Sequence, residues 1–139
     1  MRYLLDTNIV IFMISEDLKN MTSQTKEITK GYENILYISA MSLVELKYLF
    51  ENNKLRKITH KTTKELFDYI SENLNLEVLH TKNEHFKTYS ELTIVEGKTD
   101  LIDRFIISQA ICEGLTLISS DKAFENYTGR KLKFIFNKR

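Results

Sequence analysis

The sequence contains no proline and only four glycines among 139 residues. Chain reversals must therefore come from Asn and polar clusters as well as from Gly. It has one cysteine, Cys112, which excludes an intramolecular disulfide and any zinc site built from cysteines. No stretch reaches the roughly 18 consecutive apolar residues of a membrane span. Arg2 is followed by only Tyr3, Leu4 and Leu5 before Asp6, too short an apolar run for a secretory leader. A soluble, cytoplasmic protein without membrane contact is the expectation. An excess of one charge is lacking too: 20 Lys+Arg against 19 Asp+Glu leave a net charge of +1. That excludes a uniformly basic surface binding nucleic acid by charge alone, so any such contact needs a local patch or a metal. Gly31, Gly97, Gly114 and Gly129 are isolated, so no phosphate-cradling loop exists, which argues against a nucleoside-triphosphate enzyme or a dinucleotide-dependent dehydrogenase. There is no internal repeat and no low-complexity tract.

What is present is a 42% hydrophobic share, enough for a real core, in a length that fits one domain over 1–139. Residues 2–5, 35–39, 76–80, 115–120 and 131–136 read as strands. The last carries alternating charge that suits a sheet edge. Residues 7–14, 18–32, 41–53, 61–74, 82–95 and 101–114 read as helices, the last apolar on nearly every side. Residues 96–100 read as a loop and 121–129 as a short helix or turn. Strands alternating with helices predict a parallel sheet with helices on both faces, a three-layer α/β/α fold of about five strands. In such a sheet the residues just past each strand gather along one edge, where ligands bind.

Four acids fall at or near those positions: Asp6, Glu45, Asp103 and Asp121. Each has an ordinary explanation. Asp6 and Asp121 are good helix caps. Asp103, three residues after Asp100, sits where a helix dipole favours acids. Ser42-Leu-Val-Glu45 has capping-box spacing, which Thr62-Thr-Lys-Glu65 and Thr81-Lys-Asn-Glu84 repeat. Together they call for more. Asp103 shares a helical line with Ile107 and Ala110, and Glu45 projects from a helix apolar on several sides. Carboxylates held close raise one another's pKa, and a divalent cation relieves that repulsion. An all-oxygen site suits Mg²⁺ or Mn²⁺, whose retained water can be ionised and delivered to a phosphodiester. Thr7, Asn8, Ser42 and Ser120 flank the acids, as caps or as groups that orient carboxylates and water.

"LLDTNIVI", "ISAMSLVELKYL", "DLIDRFIISQAICEGLTLISSDKAF" and "LKFIF" together resemble the PIN domain, and within it the VapC-type toxins of toxin–antitoxin pairs. The resemblance implies metal-dependent endoribonuclease cleavage. It places the family's acids on Asp6, Glu45, Asp103 and Asp121, and its supporting polar positions on Thr7 or Asn8, Ser42 and Ser120. "DLIDR" resembles a family variant with proline where Leu101 stands, which makes Asp100 accessory. It further implies a homodimer, an RNA substrate (tRNA, rRNA or mRNA) and a small cognate antitoxin that lays a helical segment into an apolar groove.

Lys47, Arg104 and Lys122 neighbour the acids and either contact RNA phosphates or pair locally. His60, His80 and His85 lack metal-ligand spacing and read as structural or surface residues. Cys112 reads as a small core residue. Tyr48, Leu49 and Phe50 belong to a groove, a dimer face or the core. A catalytically silent RNA-binding or protein-docking module on the same fold is the alternative. A phosphatase with an aspartate nucleophile is disfavoured, because "DTN" lacks a second aspartate.

Overall fold

The computed structural model describes residues 1–94 and 100–139. Five strands are seen, β1 (Arg2–Leu5), β2 (Ile35–Ser39), β3 (Glu77–Leu79), β4 (Thr116–Ser119) and β5 (Lys133–Phe136). They form one sheet in the order β3-β2-β1-β4-β5, and every pairing is parallel. The helices are α1 (Thr7–Ile14), α2 (Ser23–Lys30), α3 (Ala40–Glu51), α4 (Thr63–Glu72), α5 (Asn83–Glu91) and α6 (Leu101–Glu113).

Alternation along the strands divides the core. Tyr3, Leu5, Ile38 and Ile118 face one cluster, filled by Ile9 and Val10 of α1, Ile28 of α2, Leu46 of α3 and Leu66 and Ile70 of α4. Leu4 and Leu117 face the other, filled by Ile106, Ile107 and Ala110 of α6 with Phe124 and Tyr127. The three-layer α/β/α expectation is met. Helix α6 buries six consecutive residues, Phe105–Ala110, because the sheet covers one side and α5 the other: Phe86 and Tyr89 stack on Phe105. Gly114 ends α6 at φ 65°, a left-handed turn that costs glycine little.

Some boundaries differ from expectation. The helix expected over 18–32 is a 3-10 turn, Leu18–Asn20, and then α2. Thr22 starts a new helix between them by accepting the N–H of Thr25. The helix expected to reach residue 95 ends at Glu91. The loop expected over 96–100 lies, except for Asp100, outside the described residues. The short helix or turn expected over 121–129 is a 3-10 helix, Lys122–Arg130.

The strand order carries the functional consequence. From β1 the chain winds outward through β2 to β3, then returns to place β4 on the other side of β1. Successive crossovers thus leave β1 in opposite directions. In a parallel sheet this opens a crevice beyond the carboxyl ends of the two central strands.

Candidate active site

Asp6 directly follows β1 and lies in that crevice. Its extended backbone and its side chain cap α1: Oδ1 accepts the Thr7 N–H at 2.8 Å. Its N–H donates to the Ile118 carbonyl of β4 at 3.0 Å, so the sheet itself fixes where the carboxylate emerges. The β1–β4 register pairs Leu4 with Leu117 and Leu5 with Ile118. One step on, Asp6 meets Ser119, whose hydroxyl donates to Asp6 Oδ2 at 2.6 Å. Asn8 Nδ2 adds a longer contact to the same oxygen, 3.3 Å. Ser119 Oγ also accepts the Asp121 N–H at 3.0 Å, and Asp121 Oδ1 accepts that of Ala123. The Thr7 hydroxyl donates to Ser42 Oγ at 3.0 Å, tying the start of α1 to the first turn of α3. Asp100 caps α6, its Oδ1 accepting from the N–H groups of Ile102 and Asp103.

These elements enclose a cleft of about 270 Å³ lined by Asp6, Thr7, Asn8, Glu45, Asp100, Asp103 and Asp121. Three strand-to-helix junctions and the start of α6, far apart in sequence, thus converge. Asp6 is buried, with 4% of its surface exposed. Burial pushes its carboxyl up to about 6, against the Ser119 hydroxyl and the Thr7 N–H, with Glu45 and Asp121 adding repulsion. Asp103 rises to about 7, first through burial and then through repulsion by Asp6, Asp100, Glu45 and Asp121. Two acids poised near neutrality by burial and by neighbouring carboxylates are a site under electrostatic tension.

The donor set fits a hard divalent cation: several carboxylates, no thiolate and no imidazole in one cleft. Asp6 spends its lone pairs in hydrogen bonds from Thr7, Asn8 and Ser119, yet each carboxylate oxygen has more than one acceptor direction. Among the described residues, the three ligating side chains whose donor atoms all lie within 4.8 Å are not these acids but His85, Cys112 and Glu113.

The second cluster is built for a different purpose. His85 is fully buried. Its Nδ1 faces the Lys82 N–H at 3.2 Å and the Gln109 side-chain amide at 3.3 Å. Two donors on Nδ1 place the ring proton on Nε2, which lies 3.4 Å from Glu113 Oε1. A metal on Nε2 would have to displace that proton and overturn the cap of α5. Glu113 lies below its usual range: burial opposes this, and hydrogen bonds from Lys82 and His85 outweigh it. His85 is structural, as the sequence reading had it. Cys112 is half-buried rather than a closed core residue.

Several flanking positions need correction. Ser120 does not present its hydroxyl to the acids. It accepts from Asn137 Nδ2 at 2.8 Å, and only its backbone N–H reaches Asn8. Ser119 takes the place expected for Ser120. The signal was in the alternation: Leu117 and Ser119, two residues apart, share a sheet face, and Ser120 leaves on the other. Lys47 pairs with Glu51 at 2.9 Å along α3, and does not line the cleft. The Arg104 guanidinium lies 5.9 Å from the Tyr89 ring, on the α5 side. Lys122 is exposed and is not part of the lining.

A doubly wound parallel α/β protein with an acidic cleft at its switch point is the class that fold and site define. Residues 3–130 match the PIN domain, and the chain belongs to that family. Its fold is similar to a chain of the VapBC2 complex of Rickettsia felis bound to a promoter DNA fragment, with 24% identity, 98% of each chain covered and TM-score 0.73. It is also similar to a chain of a toxin–antitoxin complex from Klebsiella pneumoniae, with 17% identity, 99% and 98% coverage and TM-score 0.64. A third similarity is to VapBC-5 of Mycobacterium tuberculosis, a member of the VapBC family of toxin–antitoxin systems, with 15% identity, 99% and 98% coverage and TM-score 0.58. Comparison with curated proteins gave no match. Among the described residues, no helix is long and apolar enough to cross a membrane.

Proposed function

We propose that the chain is a metal-dependent endoribonuclease acting as the toxin of a cytoplasmic toxin–antitoxin pair, with a small cognate antitoxin as its inhibitor and a homodimer as its working state. The observation that carries the reading is the convergence of Asp6, Glu45, Asp103 and Asp121 on one cleft, with Asp6 and Asp103 raised by burial first and by neighbouring acids second. Membership of the PIN family and the likeness to chains of VapBC complexes support it.

Asp6, Glu45 and Asp103 hold Mg²⁺ or Mn²⁺, directly or through water, and Asp121 completes the outer side. When bound, the ion supplies an acidified water and neutralises charge on the scissile phosphate. The protein does the remaining work. Ser119 and the Thr7 N–H favour the ionised form of Asp6 against the effect of burial and fix its orientation. The Thr7–Ser42 bond holds α1 against α3, and so sets the distance from Asp6 to Glu45. Asp100 caps α6 and fixes the turn that presents Asp103. Glu45 accepts the proton of the attacking water as the RNA strand opens to a 5′-phosphate and a 3′-hydroxyl. Asp6 and Asp103 must lose their protons for this, so activity rises with pH through about 6 to 7.

The test is cleavage of a tRNA-containing RNA panel by purified protein with Mg²⁺ or Mn²⁺. Wild type is expected to cut and Asp6→Asn to be inactive, with EDTA reproducing the loss. RNA binding that persists in EDTA, with no cleavage by the metal-supplied wild type, would instead identify a silent binding module.

A further inference from the structure

Residues 52–64 hold Lys54, Arg56, Lys57, Lys61 and Lys64 and no acid. In a chain of net charge +1 this is a marked local excess, and all of it except Lys64, in the first turn of α4, falls on the connection between α3 and α4. The structure folds this connection over a groove of about 460 Å³, whose lining includes Lys19, Lys54, Arg56 and Lys57. All four are exposed. Arg139 adds a fifth cation, its guanidinium 5.3 Å from the Phe12 ring in the groove wall. The acid in the lining, Asp17, accepts a hydrogen bond from Asn20 Nδ2 at 2.7 Å.

The groove is not separate from the carboxylate cleft. Ile11 of α1 and Leu49 of α3 line both, so the two depressions are adjacent and share a wall. This juxtaposition addresses a problem the cleft creates. Five carboxylates repel a polyanion, and a bound cation offsets that only at the phosphate it touches. Neighbouring phosphates need positive charge within reach of the same site, because backbone contacts position a nucleic acid.

We propose that this groove is the path of the RNA backbone on one side of the scissile phosphate, with Lys54, Arg56 and Lys57 pairing with flanking phosphates and Lys19 closing the far wall. The proposal rests on the ribonuclease reading and extends it to residues outside the acidic site. An acidic peptide also suits the charge of the groove. It would, however, run on into five carboxylates without an ion to offset them, whereas an RNA strand continues into the site where its own cleavage takes place.

The experiment measures binding of a labelled single-stranded RNA of mixed sequence across a salt series, alongside Mg²⁺-dependent cleavage. It compares wild type with Arg56→Gln/Lys57→Gln. Both positions are exposed, and glutamine keeps most of each stem. Lys87→Gln, exposed on α5 across the sheet, is the control. Each lost phosphate contact lowers the slope of log affinity against log salt by about 0.7 for a single strand, so the double variant should lose about 1.4. Between 50 and 200 mM salt, wild type should then lose about sevenfold more affinity than the variant. The variant should also show a raised KM with kcat retained, and the control should match wild type. A variant with wild-type slope and KM, in a protein that still cleaves RNA, would overturn the path while leaving the ribonuclease reading intact. Normal RNA binding with lost affinity for an acidic peptide or an antitoxin would equally overturn it, by assigning the groove to a protein. If wild type neither binds nor cleaves RNA, the underlying reading itself fails.

Discussion

Replacing Ser119 by alanine removes one oxygen atom from a fully buried position, and the structure predicts a large functional result. The lost hydroxyl donates to Asp6 Oδ2 at 2.6 Å and accepts the Asp121 N–H at 3.0 Å. A buried hydrogen bond to a charged group contributes about 1.5–3 kcal/mol. Most of that falls on the ionised form of Asp6, since the hydroxyl is the strongest influence holding that carboxyl down against burial. Without it, the Asp6 pKa climbs above its present value of about 6. A cation binds the carboxylate and must displace the proton, so affinity for Mg²⁺ or Mn²⁺ should fall about 10–100-fold, the range for partners that orient metal ligands. The loss should be larger at pH 6 than at pH 8, where more of Asp6 is ionised in both proteins. Calorimetric titration with Mn²⁺ at the two pH values, with the acid limb of the cleavage profile, provides the readout. Ser120→Ala is the matched comparison: its hydroxyl serves Asn137, and its acid limb should stay at the wild-type pH. Equal metal affinity and an unmoved acid limb in Ser119→Ala would refute the argument.

Three further outcomes follow from the same structure. Asp6 and Asp103 titrate higher in the folded chain than their ordinary value of 3.8. The folded state therefore holds more protons than the unfolded one between about pH 4 and 7. In EDTA the melting temperature should fall as pH rises through that window and then level off, and the Asp6 shift alone is worth about 3 kcal/mol. Added Mg²⁺ should reverse the fall, more at pH 8 than at pH 5. Leu46→Ala, at a fully buried position in α3, should cost about 2–5 kcal/mol in urea unfolding. His85→Leu should cost about 1–3 kcal/mol by leaving the Lys82 N–H and the Gln109 amide without their acceptor. Its Mg²⁺-dependent cleavage should match wild type at a temperature where both are folded, and a zinc titration should affect the two equally.

Much of this was legible in the chain because the signals were local and periodic. Short apolar runs bounded by polar residues located β1, β2 and β4, and parallel order followed from their alternation with helices. Asp6, Glu45 and Asp121 stood out because each sits at or near a strand-to-helix junction, and Asp103 because it lies in the first turn of an apolar helix. The errors lie where a decision depended on one residue of register or on a distant contact. Ser119 and Ser120 are adjacent and chemically identical, and only their parity relative to Leu117 separates them. Helix propensity continues through Leu18–Lys30, and the break at Thr22 is fixed by Asn137, whose Oδ1 accepts the Thr22 N–H and whose Nδ2 donates to the Asn20 carbonyl. No local pattern shows a contact more than a hundred residues away. Lys47 stood near the acids in sequence, but helical spacing directs it to Glu51.

The central position of β1 has a consequence for synthesis. Asp6 is made more than a hundred residues before the strand that completes its surroundings, β4, and Asp121 comes after that strand. A nascent chain that has not reached β4 has no partner for the Asp6 N–H and no hydroxyl for its carboxylate. Its acidic pocket therefore remains open on one side until β4 and Asp121 have been made. Pairing the first strand with one more than a hundred residues later also makes closure a slow, non-local step, so competence arrives late and all at once.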